Sequence, residues 1–218
     1  MATHHIYCIS GLAADFRIFS QLKVKDAILH PIEWQMPEEG ESLPSFAAKL
    51  ARQILHEDPV LLGVSFGGML ATEISKLIPV KKVIIVSSGK HRRELPRYMR
   101  LAGRLGLHKV VPYHWVTRWR WLNRFIFDAR SRSEELMLKR MMLAETQVTF
   151  IRRSVHMILT WQGNDKPVSV VHIHGRRDRL LLPGPVKADH WINEGGHFMI
   201  WNMADRVSAI IEKELDAG

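Results

Sequence analysis

The stretch Val60-Leu61-Leu62-Gly63-Val64-Ser65-Phe66-Gly67-Gly68-Met69-Leu70 constrains this chain more than any other. An apolar run enters, Gly-x-Ser-x-Gly turns, and a helix-period run leaves through Leu70, Ile74, Leu77 and Ile78 before Pro79. The pattern predicts strand, tight turn and helix, with Ser65 at the apex. A side chain there carries strained backbone angles and projects out of the sheet. Gly63 and Gly67 fall where any Cβ would meet crossing backbone, and Gly68 lets the helix pack closely. The Phe66 amide, at the helix N-terminus, points where a developing oxyanion would sit.

The rest of the chain suits one domain around such a unit. At 218 residues it can bury a substantial core and still carry an inserted subdomain. A hydrophobic content of 46% with 24% charged residues is ordinary for a globular protein. No run of eighteen uncharged apolar residues occurs, which excludes a transmembrane helix. Met1-Ala2-Thr3-His4-His5 lacks a basic leader region and runs directly into a strand, so no secretory signal is expected. The single cysteine, Cys8, excludes an internal disulfide and suits a reducing compartment, so the expected location is cytoplasmic.

Residues 6–9 read as a buried strand, followed by the loop Ser10-Gly11-Leu12-Ala13-Ala14-Asp15. Asp15 can cap a short helix with Phe16, Phe19 and Leu22 on one face. Residues 28–34 look extended, but Pro31 lacks a ladder donor and points to an edge strand. Pro44 suits the first turn of a helix carrying Phe46, Leu50 and Ile54. After the Ser65 unit, strands are expected at 83–86, 168–173 and near 190–192. A closing helix from Asn202, with Asp205 at its third position, buries Val207, Ile210, Ile211 and Leu215. Strands alternating with helices argue a mainly parallel sheet covered on both faces, an α/β doubly wound class.

Between Ser88 and Trp161 the strand pattern gives way to helical periods. They run from Trp119 to Phe127, through Leu138, Met141, Met142 and Glu145, and through Val148, Ile151, Val155 and Ile158. This segment also holds the charge. Residues 91–160 contain fifteen Lys/Arg against five acids, an excess of +10, whereas the remainder is −1.

The Gly-x-Ser-x-Gly unit and its setting resemble the α/β-hydrolase superfamily with its nucleophile elbow. The resemblance implies that two opening strands of the family are absent here, because only about five residues precede the strand that feeds the first loop. It therefore predicts six core strands, with the Pro31 strand at the exposed edge. It also implies a core of residues 1–89 and 161–218, with 90–160 inserted as an all-helical cap, or lid. The family's order of nucleophile, acid and histidine places Ser65 first. His197, in Glu194-Gly195-Gly196-His197-Phe198, takes the family's histidine position, with His190 as the competitor. Asp178, in His174-Gly175-Arg176-Arg177-Asp178, takes the acid position, with Asp189 and Asp165 as fallbacks. Ser87-Ser88-Gly89-Lys90, where some relatives carry the acid, offers no carboxylate. The oxyanion amides implied are those of Leu12 and Phe66, with Ser10-Gly11 standing where the family commonly has His-Gly.

The expected activity is that of a soluble serine hydrolase for a small or medium acyl ester or thioester, without metal or organic cofactor. The same three residues also serve C–C bond hydrolases and lyases, and a slow or non-catalytic ligand-binding or signalling member stays open. His172 and His174 share a strand face, but no further ligand cluster accompanies them, so they read as core or interface histidines. The glycines at 63–68 lack the lysine and hydroxyl of a phosphate-binding loop. The basic cap reads as a solvated helical face, as recognition of an anionic substrate portion, or as weak binding to an acidic surface; nucleic acid is not expected.

Overall fold

The computed structural model of the chain describes residues 3–12, 14–110, 146–163 and 169–217, together with isolated positions 132 and 136. Strand β1 spans His4–Ile9, β2 Ala27–Pro31, β3 Val60–Val64, β4 Lys82–Val86, β5 Val170–Gly175 and β6 His190–Ile192. They form one sheet in the order β2-β1-β3-β4-β5-β6, and every pair is parallel. The six expected strands are therefore present. Pro31 sits at the end of edge strand β2 opposite Cys8, and the next donor, Ile32 N–H, bonds Cys8 O at 3.0 Å. A missing donor at an edge breaks no ladder.

Alternation along each strand feeds two cores. Ile6 and Cys8 of β1, Leu62 and Val64 of β3, and Ile84 and Val86 of β4 face one layer. That layer is closed by the short helix α5 (Met199–Asn202, labelled in chain order) and by α6 (Ala204–Asp216), which buries Val207, Ile211 and Leu215. The opposite residues, Tyr7, Ile9, Leu61, Val83 and Ile85, meet α1 (Leu43–Ala51) and α2 (Phe66–Ile74). Ser42 caps α1 through Ser45 N–H, and Pro44 sits in its first turn as expected.

Three helix boundaries differ from expectation. Helix α2 ends at Ile74, with Ser75 as its C-cap, and leaves Leu77 half-exposed. Asn202 ends α5 instead of opening the closing helix: Met203, at φ −131° and ψ 32°, separates α5 from α6. Ile54 lies beyond α1. The Phe16–Phe19 turn is a 3-10 helix, capped by Asp15 as expected.

Of the expected cap, the described part comprises α3 (Arg97–Arg104) and α4 (Thr146–Thr160), with short 3-10 turns at Arg92–Glu94 and Leu107–Lys109. The periods at Trp119–Phe127 and Leu138–Glu145 lie outside the described residues. A Cβ on Gly103 would lie 2.3 Å from Leu159 O, so α3 crosses α4 at glycine distance. Phe150 and Met157 of α4 and the following Trp161 enter the α2-side core, where the Trp161 indole donates to Glu73 at 2.8 Å.

Candidate active site

Ser65 turns the chain between β3 and α2 at φ 53° and ψ −119°. Such backbone on a residue with a Cβ stores on the order of 1–3 kcal/mol and persists only where neighbours hold it. They do so here. Ser65 N–H donates to Val86 O at 3.0 Å, and Ser65 O accepts from the Ser88 hydroxyl at 2.6 Å and from Gly68 N–H at 3.0 Å. A Cβ on Gly67 would lie 2.1 Å from Ile9 O, and one on Gly63 would lie 2.4 Å from Gly67 O, so backbone occupies both spaces. Gly68 leaves the room that Ser88 Oγ fills.

His197 follows β6 and is buried, with Nε2 3.0 Å from Ser65 Oγ and Nδ1 2.8 Å from Asp178 Oδ2. An ionised carboxylate only accepts, so Nδ1 carries the proton toward Asp178 and Nε2 is left to accept from the Ser65 hydroxyl. Asp178 is buried after β5, and its other oxygen accepts the N–H groups of Leu180 and Leu181 at 2.9 Å each. The two loops touch through backbone. Arg177 N–H donates to Gly195 O at 2.9 Å, and a Cβ on Gly175 would lie 2.2 Å from that same oxygen. Glycine at 175 thus lets the acid loop and the histidine loop align.

The competing residues are engaged elsewhere. His190 Nε2 lies 2.8 Å from Glu214, and Asp189 accepts from His172 N–H at 2.8 Å and from Lys90 at 3.1 Å. Asp165 lies outside the described residues. The loop after β1 passes Ser65 closely: a Cβ on Gly11 would lie 3.4 Å from Ser65 Cβ. Neither Leu12 N–H nor Phe66 N–H donates a backbone hydrogen bond among the described residues.

Several residues around this site were not legible as such in the sequence. Trp34 donates its indole N–H to Ala14 O at 2.7 Å, where Ser10 Oγ also donates at 2.9 Å, and together they brace the loop carrying Leu12. The same indole stacks on Phe66 at 5.8 Å between centroids. Tyr98 of α3 donates to Leu180 O at 2.9 Å, beside the acid loop, and burial followed by the nearby Asp178 charge raises its phenol pKa. His174 Nε2 bonds Leu181 O at 2.9 Å and lies 3.8 Å from Asp178; burial lowers its pKa and keeps it neutral beside that carboxylate. His172 is also buried, its pKa lowered to about 2 by burial first and then by His174 and Lys90. The expected core reading of this pair agrees with that burial. A cavity of about 720 Å³ lies between α3 and the end of α4, with Arg92, Arg93, Arg97, Arg100 and Arg104 in its lining.

The model of the alpha/beta hydrolase family matches residues 35–210, and the chain belongs to that family, which makes it a hydrolase by membership. Solved structures share the fold at low identity. A lipase-esterase related protein from Clostridium acetobutylicum superposes with a TM-score of 0.71 at 15% identity, covering 97% of this chain and 94% of that one. An esterase from Exiguobacterium antarcticum gives 0.71 at 12%, covering 99% and 92%. A thioesterase of the prodiginine biosynthetic pathway in Streptomyces coelicolor gives 0.67 at 14%, covering 98% and 86%. No curated protein matches the sequence. Among the described residues, no helix is long and apolar enough to cross a membrane.

Proposed function

We propose that the chain is a serine hydrolase acting on small or medium acyl esters or thioesters. Ser65 Oγ attacks the acyl carbonyl while His197 Nε2 takes its proton, and Asp178 holds the imidazole and stabilises the imidazolium. The Leu12 and Phe66 amides receive the oxyanion. Collapse of the tetrahedral intermediate expels the alcohol or thiol, which leaves with the proton from His197. Water, deprotonated by His197, then attacks the acyl-enzyme, and the acid departs as Ser65 regains its proton.

The observation that carries this reading is the unbroken relay of 3.0 Å from Ser65 Oγ to His197 and 2.8 Å from His197 to Asp178, built on a strained turn. The esterase and thioesterase among the structural neighbours favour acyl transfer to water over other chemistries of the family. Segment 90–160 acts in this reading as the lid over residues 1–89 and 161–218. The five arginines of the cavity between α3 and α4, whose lining includes none of Ser65, Asp178 and His197, suit an anionic portion of the substrate, such as a carboxylate or phosphate, that extends away from the reacting carbonyl. A reducing cytoplasm suits Cys8, whose thiol pKa burial raises.

The test pairs a fluorophosphonate label with a panel of p-nitrophenyl esters and acyl thioesters. Wild type should label and turn over, and Ser65→Ala should do neither. Labelling that survives in Ser65→Ala removes Ser65 as the nucleophile. Labelling without turnover across the panel favours a ligand-binding member instead.

A further inference from the structure

Three histidines from separate segments meet on the α1–α2 face of the sheet, near the start of β1. Tyr7 pairs with His30 across β1 and β2, which puts both on one face, and His5 shares that face by alternation. The third ring, His56, reaches in from the loop between α1 and β3. His5 and His56 stack at 3.6 Å between centroids, with 13° between planes, and His30 lies 4.9 Å from His56. His5 Nδ1 and His30 Nε2 are 2.9 Å apart. One ring nitrogen from each of the three lies within 4.8 Å of the others.

We propose that His5, His30 and His56 form a binding site for a borderline divalent transition-metal ion of the zinc, nickel and copper class. Three imidazoles with no carboxylate among them select such ions over magnesium or calcium, which require oxygen. Nitrogens bound at about 2.0–2.1 Å to a tetrahedral ion lie about 3.3 Å from one another. The 2.9 Å pair must open by a few tenths of an ångström, and the widest gap must close by at most about 1.5 Å. An imidazole binds an ion in its ring plane, so His56 must also tilt out of its stack on His5; it is exposed and stands on a loop, which permits both movements.

Ligation sets the proton placement. The Tyr7 hydroxyl lies 2.7 Å from His56 Nδ1 and accepts Leu55 N–H at 2.9 Å. Ligation through Nε2 of His56 requires its Nδ1–H tautomer, with the Tyr7 oxygen accepting from that N–H as it does from Leu55 N–H, so that Tyr7 is the outer partner that fixes the tautomer. The proton between His5 Nδ1 and His30 Nε2 leaves to solvent, and the other nitrogen of the same ring takes one up, so the ring stays neutral. Three protein nitrogens leave a fourth position for water.

Because Ile6 pairs with Val60, His5 lies level with Pro59, on the order of 20 Å along the strand direction from Ser65. The ion therefore acts as a structural clamp, tying edge strand β2 and the 52–59 loop to β1. Its failure would leave the hydrolase reading untouched.

The experiment uses the full chain stripped with chelator and titrated calorimetrically with zinc chloride. One ion per chain should bind with micromolar or tighter affinity, and cobalt should give the visible absorption of a tetrahedral site. Losing an outer partner of a metal site costs about 10–100-fold in affinity, so removing a ligand in His30→Ala or His56→Ala should cost at least that much. The neighbouring control His4→Ala should bind as wild type does. Because the chain has twelve histidines, zinc binding that survives in both ligand variants overturns the assignment, as does the absence of binding to wild type. The exposed His56→Ala change spares the core, and circular dichroism verifies that it folds.

Discussion

The Ser88 hydroxyl donates to the carbonyl oxygen of Ser65 at 2.6 Å, in space that the absent side chain of Gly68 leaves open. This joins the end of β4 to the turn after β3 and opposes relaxation of the Ser65 backbone. A neutral hydrogen bond of this kind contributes about 1 kcal/mol net. Ser88→Ala should therefore lower kcat/KM about five- to tenfold and reduce Tm by roughly 2–4 °C. Fluorophosphonate labelling of Ser65 should be slowed but retained. An unchanged labelling rate would leave Ser88 with a packing role alone.

Asp178 offers a cleaner separation of stability from chemistry. Its Oδ1 accepts two amides, a duty that the oxygen of an asparagine can keep, while its Oδ2 faces His197 Nδ1. In Asp178→Asn the amide nitrogen faces Nδ1 and forces the opposite tautomer, so Nε2 carries a proton and cannot accept from Ser65. A fall in kcat of about 10³–10⁴-fold is expected, with KM little changed. Loss of less than tenfold, with the fold intact by circular dichroism, would remove Asp178 from the relay.

The contrast between these two residues marks what the sequence could convey. That Asp178 and His197 would lie beside Ser65 could be anticipated because a glycine and an aspartate end a β run and because glycines loosen a loop before a helix. Both are local patterns in known family positions. Ser88 and Trp34 were not legible, since their roles exist only once β4 lies beside β3 and the end of β2 beside the β1 loop. The edge position of β2 could be read because Pro31 carries its own backbone chemistry. The false start of the closing helix at Asn202 has a related cause: apolar spacing runs through Met203, while the backbone breaks there. The His5–His30–His56 cluster left no local trace either, because strand register and a loop assemble it.

Glycine at 67 is a steric requirement of the crossing between β1 and α2. In Gly67→Ala the new methyl carbon would meet Ile9 O at 2.1 Å and Ser10 O at 2.3 Å, both fixed backbone. Overpacking of this kind costs about 1–3 kcal/mol, and rigid neighbours put this site at or above the upper end. In Gly11→Ala the methyl would stand 3.4 Å from Ser65 Cβ, an ordinary contact. Urea titration should therefore show Gly67→Ala severely destabilised and Gly11→Ala near wild type. Equal stabilities would refute the crossing geometry.

Acid should destabilise this protein through its buried histidines, and His172 supplies a defined share. Its side chain is wholly buried and its pKa is lowered to about 2, against an unfolded value near 6.5. Above pH 6.5 both states are neutral and the residue contributes no pH dependence. Between pH 6.5 and about 2 the unfolded chain takes a proton that the folded chain refuses, so stability falls as pH falls. The slope approaches 1.4 kcal/mol per pH unit, a loss of roughly 2–3 kcal/mol by pH 4.5. His174, shifted in the same direction, adds to it. Denaturant titrations of wild type and His172→Leu from pH 7 to 4.5 provide the check. The variant should show a slope smaller by about one proton. Parallel curves would mean that His172 accepts a proton in the folded protein, contrary to its burial.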